Sequence, residues 1–188
     1  LEQERLRERE KFCGILVTMK VSVRLSELEN GFEAPEEWTG CFDRVTGNVV
    51  VIDDGTMRAA EDAEEEALTG AAALERAWDV IPEAFPQARE IARDLKEERF
   101  LRLPTTRDFH EYRRMEEFID SMPAGEAQER LGQAISGKGV FRRFKDEAMR
   151  IGVIDGWYKF RDETLRQFLR DWAADHNLTL DETSPVRL

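Results

Sequence analysis

Two cysteines among 188 residues, Cys13 and Cys41, are too few to staple a small secreted fold. A reduced, cytoplasmic setting is the expectation that follows. Only two histidines occur, His110 and His176. His110 is followed by Glu111, but a second His at the H-E-x-x-H step is missing, and the cysteines lack C-x-x-C spacing. No metal site is predicted. No stretch approaches the roughly 18 apolar residues of a membrane helix. The most apolar N-terminal run, Phe12-Cys13 with Ile15-Leu16-Val17, lies between Lys11 and Lys20. It is too short for a signal-peptide core, and no small-residue cleavage site follows it. The familiar chemistry motifs are missing too. Gly137-Lys138-Gly139 lacks the G-x-x-x-x-G-K-[ST] frame that cradles phosphates. No G-x-G-x-x-G follows a strand, and no G-x-S-x-G elbow is present. No cofactor is expected.

Charge is plentiful and uneven. Acidic and basic residues make up 36% of the chain and leave a net charge of -12, which disfavours bulk nucleic-acid binding. Residues 26–98 hold about 20 acids against 6 bases, whereas residues 99–170 hold about 15 bases against 12 acids. An acidic first half and a mildly basic second half bear on association rather than on fold.

Residues 1–11 alternate Glu and Arg without an apolar face. Residues 1–18 therefore read as an upstream or non-native extension, with Met19 as the natural start of one domain over 19–177. Lys20 to Leu25 alternates as a strand, and Ser26 with Glu29 has the spacing of a capping box for a short helix. The runs 40–44 and 48–52 flank Val45-Thr46-Gly47 and predict a β-hairpin over 40–53, closed by turn residues Asp53-Asp54-Gly55. An acidic helix is expected after Met57, then helices carrying Leu74/Trp78/Ile81 and Ala88/Ile91/Ala92/Leu95. Phe100 to Leu103 reads as a strand stopped by Pro104. Asp108 and Glu111 have cap spacing before a stripe of Phe109, Tyr112, Met115, Ile119 and Met122. Leu131 and Ile135 mark a short helix ended by Gly137. Phe141, Phe144, Ala148 and Ile151 share the face of another, ended by Gly152. A last helix follows Gly156, with Trp157, Phe160, Thr164, Phe168 and Trp172 on one face. Residues 178–188 read as a loose tail. The tally is an α+β fold: a small antiparallel sheet of about four strands and about seven helices, with an all-helical C-terminal half.

The densest local pattern is basic and aromatic. Lys138, Arg142, Arg143, Lys145, Lys159 and Arg161 interleave with Phe141, Phe144, Trp157, Tyr158 and Phe160. One reading is a face that binds anions, with cations on charge and aromatics stacking. The other is structural. The aromatics fall at core spacing, Arg142/Asp146 and Arg143/Glu147 lie at i,i+4, and Arg161 and Asp162 are placed to pair with a neighbouring helix.

The run Gly-Lys-Gly-Val-Phe-Arg-Arg-Phe-Lys-Asp from Gly137 to Asp146, followed by Trp-Tyr-Lys-Phe-Arg-Asp from Trp157 to Asp162, resembles the signature of a widespread bacterial family of uncharacterised proteins, UPF group 0158. The hairpin around Thr46-Gly47, the Leu103-Pro104 step and His110-Glu111-Tyr112 leading to Met115-Glu116 fit the same resemblance, which spans roughly residues 19–177. It implies one intact bacterial domain and supports Met19 as the start. The family has no assigned activity, so it lends no catalytic residue.

Three functional readings follow. The first is a non-enzymatic interaction or regulatory domain, whose basic-aromatic helical face meets an acidic protein partner. The second is an enzyme with an unfamiliar site, in which Asp43, Asp108 or Asp146 works with an adjacent Arg. The third is a nucleic-acid-associated protein, which the net charge disfavours. A membrane partner is not expected.

Overall fold

The structure is a computed structural model, and it describes residues 21–67, 69, 72, 74, 79–95 and 98–182. The expectations for residues 1–20, and most of the helix predicted around Leu74 and Trp78, lie outside the described residues. The fold is α+β. The chain divides into two compact units, residues 1–104 with 172–188 and residues 105–171. No helix among the described residues is long and apolar enough to cross a membrane.

The first unit is built on the hairpin. Strand β1 (Ser22–Arg24) leads into helix α1 (Leu25–Phe32). The hairpin strands follow, β2 (Trp38–Asp43) and β3 (Val49–Asp53), then helices α2 (Asp54–Glu65) and α3 (Phe85–Leu95), and strand β4 (Phe100–Arg102). The sheet order is β3-β2-β4, all antiparallel, with Cys41 opposite both Val50 and Arg102. Alternation along the strands sends Cys41, Ile52 and Phe100 to the face covered by α2 and α3. Ala60 and Ala63 on α2, with Ala88 and Ala92 on α3, let that helix pair approach closely within one core. Gly40, Phe42 and Val49 take the opposite face, where α1 comes so near that a Cβ on Gly31 would lie 2.8 Å from Val49 Cγ1. Gly47 has φ +74°, the left-handed conformation that the hairpin turn requires.

Three local expectations are corrected here. Helix α1 starts at Leu25 behind Arg24, with no side-chain cap, so Ser26 lies inside the helix and its capping box does not form. Asp53 does not close a turn; its Oδ1 accepts from Thr56 N–H at 2.8 Å and caps α2. Thr179–Asp181, placed by sequence in a loose tail, is strand β5. It pairs in parallel with β1 in the register Ser22 with Thr179, and it interrupts an otherwise helical C-terminal half.

The second unit is helical: a single turn α4 (Thr106–Phe109), then α5 (Glu111–Ser121), α6 (Glu126–Ala134), α7 (Val140–Arg150) and most of α8 (Ile154–Asp175). The cap before α4 is Thr105, with Asp108 as its third-position partner, so Asp108 closes a capping box rather than opening a helix. His110 separates α4 from α5 at φ 53°. Helix α7 ends as predicted at Gly152, φ +76°, with Val153 N–H on Ala148 O at 2.9 Å and Gly152 N–H on Met149 O at 3.1 Å. Helix α8 begins two residues before Gly156. The core gathers Met115, Phe118, Ile119, Leu131, Ile135, Phe144, Ala148 and Trp157. Tyr112, expected in the apolar stripe of α5, is exposed, and Phe118 is buried in its place. On α8 the deepest positions are Trp157, Leu165, Leu169 and Ala173, while Phe160, Thr164, Phe168 and Trp172 flank them half-buried.

Candidate interaction surface

The basic-aromatic pattern separates into an inner and an outer set. Phe144 and Trp157 are wholly buried. Their rings meet edge to face, 4.9 Å between centroids at 76°, and Phe118 meets Trp157 at 5.6 Å and 67°. Phe160 stacks against Trp157 at 6.3 Å and closes the cluster. These geometries each add about 0.5–1.5 kcal/mol beyond burial itself. Arg161 belongs with the inner set: it is largely covered, and its Nε donates to Glu111 on α5 at 3.1 Å. Asp162 is exposed and lies 3.9 Å from the same guanidinium.

The outer set lies on α7. Phe141, expected inside, is 45% exposed, and Met149 is 56% exposed. With Lys145 between them they occupy positions i, i+4 and i+8, one continuous strip along the helix. Arg142 flanks the strip with its side chain 90% exposed, and its approach to the exposed Asp146 is a loose 3.7 Å. Lys138 is exposed just before the helix, and Lys159 and Tyr158 are exposed on α8. Arg143 is a correction. Its expected partner Glu147 is held by Arg130, Nε to Oε1 at 2.6 Å, and by Arg150, while Arg143 donates to the carbonyl of Ser136. Met149 was missed from sequence, because a Met in an amphipathic helix reads as core filler.

The carboxylates weighed for catalysis are occupied or open to solvent. Asp43 is buried and accepts from Val45 N–H at 2.8 Å, Thr46 Oγ1 at 3.1 Å, and Arg99 Nε and Nη2 at 3.2 and 3.0 Å. Burial pushes its carboxyl up, but the Arg99 guanidinium, with the Val45 and Thr46 donors, holds it below the ordinary range. Asp108 is lowered by its hydrogen bonds from the backbone and side chain of Thr105. Asp146 lies on the open side of α7.

Sequence reasoning also missed the hub of which Asp43 is part. Arg99 Nη1 donates to Glu90 at 2.6 Å and to Asp94 at 3.0 Å, and its guanidinium lies 4.7 Å above the Phe100 ring. Beside it, an open depression of about 490 Å³ is lined by Glu64, Pro86, Arg89, Glu90 and Arg93. Its charges are already paired: Arg89 with Glu64, Glu90 with Arg99, and Arg93 with Asp94.

Cys41 is 1% exposed, and burial pushes its thiol up to about 11, an unreactive state at neutral pH. His176 stacks on Trp172, with ring centroids 4.6 Å apart, and its carbonyl accepts from Arg44. Among the described residues no group of three or more His, Cys, Asp or Glu side chains is placed to hold a metal ion.

Residues 83–183 match the model of an uncharacterised protein family, UPF0158. The chain belongs to that family. The match covers α3, β4, β5 and the whole helical unit, so the α7 strip and the buried aromatic cluster are features of the UPF0158 segment. The hairpin around Gly47 lies outside it. No curated protein and no solved structure matches this UPF0158 member.

Proposed function

We propose that this protein is a non-enzymatic interaction or regulatory domain that docks an acidic protein segment on α7. The observation that carries the reading is the strip of Phe141, Lys145 and Met149 with Arg142 beside it. Two large apolar side chains stand in solvent on one helix face, on a unit that buries Phe118, Phe144 and Trp157 in its core. Leaving such side chains exposed forgoes about 1.5–3 kcal/mol each of burial. Apolar anchors at i and i+8 flanked by cations suit an amphipathic or extended acidic segment. A catalytic reading has less support, since Asp43 is committed to Val45, Thr46 and Arg99 and Asp108 Oδ2 is committed to the Thr105 cap. Nucleic acid is also less favoured, because the helical unit carries as many acids as bases, about 13 of each.

The test is affinity capture from lysate with the intact chain and two α7 variants, Phe141→Ala with Met149→Ala and Arg142→Glu with Lys145→Glu. Both variants are expected to melt like the wild type and to lose the same specific proteins. Arg143 is left in place because it supports the Ser136 turn. Capture that disappears on nuclease treatment would move the reading to nucleic acid, and capture indifferent to both variants would remove α7 from the function.

A further inference from the structure

Resting on the α7 reading, we infer that the face is complementary to a segment of this same chain, the turn at Pro35-Glu36-Glu37-Trp38, presented by a second copy. The turn is well fixed. Trp38 N–H donates to Pro35 O at 2.9 Å, and Asp54 N–H donates to Glu37 O at 2.8 Å, so the loop is pinned where β2 begins and β3 ends. Its side chains are not. Glu36 and Glu37 are exposed and have no partner among the described residues, and the Trp38 indole next to them is 40% exposed. A rigid turn therefore presents two unpaired carboxylates and one large aromatic. The α7 face presents the converse, two cations (Arg142 and Lys145) and two apolar side chains (Phe141 and Met149).

The match is in chemistry as well as in sign. An indole accepts a guanidinium over its face and packs well against a thioether. Trp and Arg are the residues that most often anchor interfaces. The acidic helix α2 is the other candidate on a second copy, and it fits less well. Its Glu61 and Glu64 are paired with Arg102 and Arg89, and although Asp62 and Glu65 are exposed, no exposed large apolar side chain accompanies them. A turn-to-face contact joins different surfaces of the two copies, so it closes as a dimer if each copy gives its turn to the other and otherwise as a ring.

Sedimentation velocity of the full chain under reducing conditions, over a wide concentration range and at low and high salt, tests the inference. The wild type is expected to self-associate as concentration rises, and less so at high salt. Glu36→Lys with Glu37→Lys, and Arg142→Glu with Lys145→Glu, should each weaken association at least about tenfold. Mixing the two variants should restore it, because each supplies the surface the other's reversed charges require. Trp38→Ala, which leaves all charges in place, should weaken it as well, and thermal melts confirm that every variant is folded. A wild type that stays monomeric throughout overturns the inference, as does association that survives both charge reversals or a mixture that stays apart. If self-association fails while α7 variants still lose captured proteins, only this inference falls. If capture ignores α7, the reading beneath it falls too.

Discussion

Replacing Arg99 with Met is the sharpest test of how the first unit is held together. The substitution keeps most of the aliphatic stem and removes only the guanidinium. Four hydrogen bonds go with it: two to Asp43 in a fork, one to Glu90 and one to Asp94. Asp43 is then left 4% exposed, with only the Val45 and Thr46 donors against its burial. Breaking a buried pair from one side costs about 3–5 kcal/mol. The low end, about 3 kcal/mol, applies here because Glu90 and the edge of Arg99 reach water. Arg102→Met is the control. Its pair with Glu61 is exposed on both sides, so the change should stay within about 0.5 kcal/mol. Urea unfolding at neutral pH, followed by circular dichroism, reads both. The pH dependence adds a second check. The carboxyl of Asp43 is lowered in the folded chain, so its stabilisation is complete above the unfolded value of about 3.9 and is lost as pH falls through the lower folded value. The gap between wild type and Asp43→Asn should therefore hold steady from neutral pH down to the ordinary carboxylate range and narrow only in stronger acid. An Arg99→Met protein that unfolds at the wild-type urea midpoint would show that Asp43 does not depend on its cation, and the hub would lose its structural role.

Gly47→Val should destabilise by about 1–3 kcal/mol, since φ is +74° and the new Cβ would lie 3.1 Å from Ser22 O; a shift in the urea midpoint reads it. Phe144→Ala should lose about 3–5 kcal/mol of unfolding free energy in urea, whereas Arg142→Ala on the same helix should change it by no more than about 0.5 kcal/mol. Ending the chain after Asn177 removes buried Leu178 and the β5 partner of β1, so the melting temperature should drop by several degrees.

The fold was legible where a signal spans many residues. The hairpin shows in two β-rich runs around Thr46-Gly47, and α3 and α7 show in apolar spacing that persists for three turns. The misses are places where one short pattern has two meanings. Asp53-Asp54-Gly55 carries the residues of a turn and equally those of a helix start, and what decides is that Asp53 finds Thr56 N–H. Thr105 and Asp108 each stand three residues before an acid, so two overlapping capping boxes compete, and the left-handed His110 settles the matter in favour of Thr105. Strand β5 has three residues and no room to show alternation. It exists because β1 offers it a partner about 155 residues earlier in the chain, a pairing no local window contains.

The candidate site follows the same logic with a different consequence. Periodicity reports the direction of a side chain around a helix axis, and it correctly places Phe144 and Ala148 toward the core. It does not report how far along the axis the covering elements reach, and Phe141, in the first turn of α7, stays in solvent although its spacing is that of a core residue. Charge patterning has the matching blind spot. Arg143 and Glu147 have ideal i,i+4 spacing, yet Glu147 is taken by Arg130 from α6, so Arg143 turns to the backbone at Ser136. The basic-aromatic signature thus joins two sets of residues with separate roles. Trp157, Phe160, Phe144 and Arg161 hold the helices together, and the residues left outside, Phe141, Arg142 and Lys145, form with Met149 the surface that can be altered without touching that core.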